Sequence, residues 1–322
     1  MKMLKRPKKE LRSGDLVTVR AFPEIALTLD GSGTLNGMPF LPEMLKYCGQ
    51  TFPVWRRVNK LMQEGVDSGM RRIRELVLLE GPTCDGRSHG DCRRACFPLW
   101  KTAWLKPADE KPEIRPDRLR GAGNKRSYES EANLPIGRTC QVTELRKATA
   151  PLLLWDPRRY YWDITSRTYK TGEYLSCILG GIYRKTLKRI IVKVVRKKPT
   201  AKPSIPIENL NLQPGELVEV KAADEIHASL DEHGKTRGLY FMPEMWEYCG
   251  RRLRVLHPIE RMMSEKTGEI RNLNQSVILE GAICTGKAHS GCQRICYVFW
   301  KDTWLRRVDP PEREDPDCRP AH

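Results

Sequence analysis

The chain has 322 residues, of which 39% are hydrophobic and 30% charged, and its net charge is +17. This length allows two or three domains, and the balance of residue types is typical of a soluble globular protein. No apolar run reaches the ~18 residues of a membrane-spanning helix, and the basic N-terminus lacks the apolar segment of a secretory signal. We therefore expect a cytoplasmic protein. A charge of this size attracts phosphate groups or an anionic membrane surface. The alternative is that the basic side chains only form a solvated surface.

The most informative stretch is CDGRSHGDCRRACFPLWKTAW, residues 84–104, which returns as CTGKAHSGCQRICYVFWKDTW at residues 284–304. Nine of the 21 positions are identical, and both tryptophans of the stretch are among them. In a reducing compartment, clustered Cys and His favour a metal over disulfides. The candidate metal ligands are Cys84, His89, Cys92, Cys96, Cys284, His289, Cys292 and Cys296.

A first β-rich module is expected at residues 11–107, after a basic tail at residues 1–10. Val17 and Val19 alternate with polar neighbours, which predicts a half-buried strand. The Pro-Glu-Met run that begins at Pro42 predicts a short helix, and the apolar run at residues 77–79 predicts a buried strand. Matching signals return in a second module at residues 204–310, which precedes a tail at residues 311–322.

The region between the modules divides into a polar linker at residues 108–150 and an aromatic, basic insert at residues 151–203. Near-helical spacing of Leu and Ile predicts a helix from Thr171 to about Val195. The insert suits single-stranded nucleic acid or an anionic membrane surface, or its apolar face packs on the modules. The candidate anion or nucleic-acid contacts are Arg158, Arg159, Arg184, Lys185, Lys188 and Arg189.

The spacing Cys-x4-His-x2-Cys-x3-Cys supplies three thiolates and one imidazole, a ligand set that suits zinc. The same residues suit an iron–sulfur cluster. A third interpretation is that the thiols bind no metal and are redox-active or simply buried. Cys92 and Cys96 are four residues apart, so on a helix they share a face, and Trp100 and Trp104 continue that stripe. The loop is therefore expected to lead into a short helix. A metal ion that stabilises the fold of a small module is favoured over a catalytic one.

Other cysteines and acids have less specific signals. Cys48 and Cys249 recur in register, and each is an extra ligand, a nucleophile or a buried structural thiol. Three cysteines have no counterpart in register and are assigned no role: Cys140, Cys177 and Cys318. Glu43 and Glu244 recur after Pro, and helix capping explains them more simply than acid–base chemistry.

The module as a whole is expected to be α+β, with short strands around one helix. The run Gly14-Asp15-Leu16-Val17-Thr18-Val19 resembles the start of strands in SH3-like small barrels. The Pro-Glu-Met-x-x-Tyr-Cys-Gly segment and the Trp-Lys-x-x-Trp-Leu ending resemble an uncharacterised bacterial family of tandem modules of this kind. The resemblance implies two homologous barrels, each with a Cys/His cluster, joined by a helical basic insert. It implies no activity.

A second resemblance lies within the first Cys/His stretch. The run Cys84-Asp85-Gly86-Arg87-Ser88-His89 is similar to the signature of the CDGSH iron–sulfur proteins. That resemblance implies a two-iron cluster with three Cys and one His. The run has one more residue before the His, and two cysteines follow it instead of preceding it.

Three functional hypotheses follow. The first is a metal-binding scaffold protein with two pseudo-symmetric Cys3His sites and a protein or other partner at the insert or between the modules. The second is an iron–sulfur redox protein or an enzyme that uses the Cys3His centres. The third is a nucleic-acid-binding protein that acts through the basic insert.

Overall fold

The computed structural model of the protein describes residues 10–63, 69–108, 139–165, 209–286 and 289–308. The architecture is mixed α+β, with mostly short strands, few helices and curled sheets. Two compact units can be distinguished, and they do not follow chain order. The first contains the described residues up to 165, together with Arg261–Asn272 and the described part of 284–296.

The first unit is built on a six-stranded sheet and one small hairpin. In chain order its strands are β1 (Leu16–Val19), β2 (Thr34–Leu35), β3 (Met38–Pro39), β4 (Thr51–Leu61), β5 (Arg71–Leu79), β6 (Trp100–Lys101), β7 (Leu105–Pro107) and β8 (Ala150–Pro151). The sheet has the order β6-β5-β4-β1-β7, and β8 also pairs with β5. The hairpin of β2 and β3 lies outside this sheet.

The second unit holds a five-stranded sheet. The remaining strands, in chain order, are β9 (Leu217–Val220), β10 (Lys235–Thr236), β11 (Leu239–Tyr240), β12 (Arg252–Pro258), β13 (Arg261–Met263), β14 (Ile270–Asn272), β15 (Ser276–Cys284), β16 (Cys296–Lys301) and β17 (Leu305–Arg307). The sheet of the second unit has the order β16-β15-β12-β9-β17. The hairpin of β13 and β14 packs with the first unit.

The helices among the described residues are short. The α-helices are α1 (Phe22–Ala26), α2 (Leu145–Ala148), α3 (Pro157–Thr165) and α4 (Ala223–Ser229). The 3-10 helices are Pro42–Tyr47, Arg87–His89, Thr102–Trp104, Pro243–Tyr248 and Asp302–Trp304. None of the helices within the described ranges is long and apolar enough to cross a membrane.

The strand predictions at Val17, Val19 and residues 77–79 are confirmed, and these side chains are buried. Apolar and polar residues alternate along β1, so that Val17 and Val19 point from one face of the strand into the core. The continuous apolar run suits β5, which is covered on both sides. The helix predicted from Pro42 forms as the tighter 3-10 type.

Each unit has a tryptophan pair at its core. In the first unit, Trp100 and Trp104 are fully buried, and Phe40 meets them edge-on with ring centroids 6.3 and 5.3 Å away. In the second unit, the rings of Trp300 and Trp304 lie 6.0 and 5.0 Å from Phe241. Edge-to-face contacts at these distances add to the gain from burying apolar surface.

The short helix expected after the loop forms only as the 3-10 turn Thr102–Trp104, and its extension across Cys92 and Cys96 is wrong. Residues 91–99 have irregular backbone, and Trp100 lies on β6 instead of continuing a helical stripe. Asp91 and Ala95 have φ angles of +54° and +51°, values that no right-handed helix contains. The corresponding Cys296 begins strand β16.

The region between the modules is described only in part. Residues 139–150, expected in a polar linker, fold onto the first unit, with Cys140, Gln141 and Leu145 buried. The helix predicted from Thr171 to Val195 lies outside the described residues.

Candidate metal centre

The first Cys/His stretch is shaped by one tight turn at Gly86. This residue has a φ of +71°, and a Cβ atom there would lie 2.0 Å from the carbonyl oxygen of Cys92. The Gly86 carbonyl accepts hydrogen bonds from the backbone N–H groups of His89 and Cys92, at 3.2 Å each. The N–H of Cys84 donates to the carbonyl of Cys96 at 2.8 Å. Only glycine permits this fold of the loop, which gathers the ligand candidates.

His89 lies at the centre of this loop and is buried. Its Nε2 is 3.7 Å from the Sγ of Cys84. The ligand atoms of Glu43, Cys84 and His89 lie within 4.8 Å of one another. Sulfur and imidazole nitrogen therefore converge in a buried place.

The other side of the imidazole is held by Glu43, the second residue of the 3-10 helix that begins at Pro42. Its buried carboxylate accepts the backbone N–H of Ser88 at 2.9 Å and the Ser88 hydroxyl at 2.8 Å. It lies 3.5 Å from the Nδ1 of His89, and the Ser88 Oγ is 3.1 Å from the same nitrogen. A carboxylate behind a histidine fixes the orientation of the ring in metal sites.

Cys140 arrives from 44 residues beyond Cys96. The neighbouring Gln141 anchors it: the Gln141 Oε1 accepts the N–H of Leu99 at 2.8 Å, and the Nε2 donates to the carbonyls of Pro39 and Leu99 at 2.8 and 3.1 Å. Gln141 is itself buried. The amide side chain of Gln141 thus joins this segment to the backbone of Pro39 and Leu99.

The electrostatics of the cluster favour positive charge at its centre. Burial acts to lower the pKa of His89, but its hydrogen bonds to the thiols of Cys140, Cys84 and Cys92 outweigh burial and raise that pKa. Burial acts to raise the pKa of Cys92, but its bonds to His89 and to the N–H of Met263 lower it on balance. Burial raises the pKa of Cys84 despite the nearby imidazole. A metal ion supplies such a positive charge by displacing the protons.

The predicted ligand Cys96 has different neighbours. Burial raises the pKa of its thiol, and the guanidinium groups of Arg94 and Arg294 oppose that effect. Both arginines are bound by Glu265 of the hairpin: Arg94 Nη2 lies 2.8 Å from Oε1, and Arg294 makes a two-pronged pair with both carboxylate oxygens. The thiol of Cys96 therefore lies next to a buried Arg–Glu–Arg network.

The second stretch repeats the backbone turn. Gly286 has a φ of +81°, and a Cβ there would lie 1.9 Å from the carbonyl oxygen of Cys292. Cys284 and Cys292 are buried, and His289 is half-buried. Cys296 is half-buried and lies near the Arg294 guanidinium. Across the described ranges, this stretch does not bring three possible ligand atoms within the distance seen at the first.

The remaining candidates lie elsewhere. Burial raises the pKa of Cys48 to about 11 and also raises that of Cys249, which favours protonated structural thiols over nucleophiles. Cys48 is not among the three residues whose ligand atoms cluster in the described part of the chain.

Two of the arginine candidates are on α3. The Arg158 side chain pairs with Asp156, with its Nε and Nη2 at 2.9 and 2.6 Å from the carboxylate. The Arg159 carbonyl accepts a hydrogen bond from the Nζ of Lys60 at 3.0 Å. That Nζ lies 2.6 Å from the Oδ1 of Asp163, and both side chains are buried. Arg184, Lys185, Lys188 and Arg189 are outside the described residues.

Sequence reasoning missed the place of Glu43 beside His89. Glu43 had a usable signal, because it recurs as Glu244 in the second copy, yet helix capping explained it more simply. The fold and the cluster together define an α+β protein with a buried Cys/His centre. No family model, curated protein or solved structure matches the chain.

Proposed function

We propose that this protein binds a zinc ion at the first Cys/His stretch and acts as a binding or scaffold protein. The observation that carries the proposal is the buried His89, with the Sγ of Cys84 3.7 Å from its Nε2 and the Glu43 carboxylate 3.5 Å from its Nδ1. Zinc prefers such sulfur and imidazole ligands. A second ion in the stretch from Cys284 to Cys296 is part of the proposal, supported by the matching backbone turn.

A structural role for zinc is favoured over catalysis. Cys84, His89, Cys92 and Glu43 are buried, whereas a catalytic zinc keeps a coordination position for water or substrate. The cluster also joins segments that are far apart in the chain, since Glu43 lies with Cys84 and His89. An ion here contributes its binding free energy directly to folding.

We further propose that each sheet is an SH3-like small barrel and that the two are copies of one module. The two five-strand orders, β6-β5-β4-β1-β7 and β16-β15-β12-β9-β17, correspond element by element and support this. The tryptophan pairs at 100/104 and 300/304 occupy matching places in each.

Metal analysis of the full chain purified without oxygen tests the proposal. We expect zinc and no visible absorption, with His89→Ala containing about one zinc ion less per chain than the wild type. His289→Ala reports the second stretch in the same way. Iron with visible absorption would favour the iron–sulfur alternative, and a chain without metal would contradict both.

A second candidate function is binding of single-stranded nucleic acid at α3. Trp155 is 77% exposed and Tyr161 63% exposed, next to Arg158 on a chain of net charge +17. Exposed aromatic rings stack on bases while arginines contact phosphates. Leu153, Leu154 and Ile164 are also exposed, so the surface is apolar as well as aromatic.

Fluorescence anisotropy with a labelled single-stranded RNA tests this candidate. We expect binding that weakens as salt rises, and loss of affinity in Trp155→Ala and Tyr161→Ala. Tyr240→Ala is the matched control, because Tyr240 is 47% exposed in the second unit. Equal affinity in all three variants, or binding that ignores salt, would reject a nucleic-acid surface at α3.

A further inference from the structure

Ser88 lies between the Glu43 carboxylate and the imidazole of His89. Its backbone N–H donates to the Oε1 of Glu43 at 2.9 Å, and its hydroxyl donates to the Oε2 at 2.8 Å. This one residue therefore engages both carboxylate oxygens. The Ser88 Oγ is also 3.1 Å from the Nδ1 of His89. A single hydroxyl thus bridges the carboxylate and the ring.

The number of protons decides the direction of these hydrogen bonds. A carboxylate oxygen only accepts, so the single hydroxyl proton of Ser88 goes to Glu43. The contact between the Ser88 Oγ and the ring then requires a proton on the Nδ1 of His89. The Glu43 Oε1 is 3.5 Å from this Nδ1, which is longer than an ordinary N–H···O bond. With its proton on Nδ1, the neutral imidazole carries its lone pair on Nε2.

The Nε2 of His89 faces sulfur, since it lies 3.7 Å from the Sγ of Cys84. A zinc–sulfur bond of ~2.3 Å and a zinc–nitrogen bond of ~2.0–2.1 Å at a tetrahedral angle place the two ligand atoms about 3.5 Å apart. We infer that Ser88 is a positioning residue, which links the Glu43 carboxylate to His89 and fixes Nε2 as the atom that binds the ion. This inference rests on the proposed zinc site.

The second copy lacks this hydroxyl in its sequence. The residue that corresponds to Ser88 is Ala288, which lies outside the described residues. His289 is half-buried, whereas His89 is 7% exposed. Partners that orient a ligating histidine contribute about 10–100-fold to metal affinity. The two stretches are therefore unequal, and we expect the first to bind zinc more tightly than the second.

Two substitutions of Ser88 in the full chain test the inference by competition with a chelator. Ser88→Ala should weaken zinc binding at the first stretch by about 10–100-fold. Ser88→Thr keeps the hydroxyl and should bind nearly as the wild type does. Ser13→Ala is the matched control and should leave the affinity unchanged, because the Ser13 hydroxyl also makes a hydrogen bond in the first unit, to the carbonyl of Trp55 at 2.8 Å. Equal affinity in Ser88→Ala and the wild type would overturn the inference.

Nitrogen NMR of the full chain as purified, with isotope only in its histidines, reports the tautomer of His89. The His89 signals are assigned by their loss in His89→Ala, and we expect the proton on Nδ1. A proton on Nε2 would overturn the inference whatever the metal content. A wild-type chain without zinc that keeps the Nδ1 proton would instead reject the proposed function and leave the bridge from Glu43 to His89 standing.

Discussion

The backbone N–H of Met263 donates a hydrogen bond to the Sγ of Cys92 at 3.2 Å, although 171 residues separate them. The N–H of Met62 donates to the Sγ of Cys292 in the same way, at 3.3 Å. Next to these bonds, the N–H of Arg93 donates to the carbonyl of Arg261 at 2.8 Å. An amide hydrogen bond stabilises a thiolate more than a thiol. Each Cys/His stretch thus receives sulfur hydrogen bonds from a β-hairpin distant in the chain.

Glu265 should be the residue through which the hairpin of β13 and β14 most strongly stabilises the first unit. Glu265→Gln leaves the guanidinium groups of Arg94 and Arg294 buried without their carboxylate. Breaking a buried pair from one side costs about 3–5 kcal/mol. We expect a loss of that size in the free energy of unfolding by denaturant. Glu269→Gln, on the same hairpin but exposed, should change it by less than about 0.5 kcal/mol. Equal effects would show that the network does not stabilise the unit.

The turn at Gly86 should tolerate no side chain. Gly86→Ala places a methyl group 2.0 Å from backbone of Cys92, which cannot move aside as a flexible side chain could. Gly49→Ala is the matched control, because Gly49 has a φ of +76° and nothing within 4 Å of the added atom. The control should lose about 1–2 kcal/mol from the left-handed backbone alone. Gly86→Ala should lose more and bind no zinc at the first stretch. Normal zinc binding in Gly86→Ala would contradict the role of this turn.

Glu43 should act on the metal through His89. Glu43→Gln keeps the shape of the side chain but removes its charge, so zinc affinity should fall by about 10–100-fold. Glu244→Gln alters the corresponding position of the second copy and should leave the affinity of the first site unchanged. Chelator competition measures both. A fall of equal size in the two variants would point to a general effect on stability.

The buried pair of Lys60 and Asp163 should hold α3 in place. Lys60→Met leaves the Asp163 carboxylate buried without its cation, at a cost of about 3–5 kcal/mol. The pair of Arg57 and Glu10 has the same 2.6 Å separation, but Glu10 is exposed. Glu10→Gln should therefore cost no more than about 1 kcal/mol. Denaturant unfolding of both variants provides the comparison. A small loss in Lys60→Met would mean that α3 is held by other contacts.

Local patterns in the sequence predict the strands well. Val17 and Val19 lie on β1 because alternation follows the pleat of a strand. The loop from Cys84 to Cys92 reverses at Gly86, where a glycine permits the positive φ. These signals are contained within about ten residues, so no knowledge of distant contacts is needed.

The parts that sequence reasoning missed depend on distant contacts. The helix predicted over Cys92 and Cys96 does not form, because the Cys96 carbonyl bonds to Cys84 instead of to its own helical turn. The segment at residues 140–141 packs on the first unit through hydrogen bonds of Gln141 to Pro39 and Leu99, which no spacing reveals. The placement of Met263 beside Cys92 depends on hairpin packing over 171 residues.

X-ray absorption at the zinc edge of the purified full chain tests the central claim most directly. The account predicts sulfur neighbours at ~2.3 Å and nitrogen at ~2.0–2.1 Å, in a ratio near three to one. The sulfur share should fall in Cys84→Ser. A shell of oxygen and nitrogen alone, or iron in place of zinc, would contradict the account.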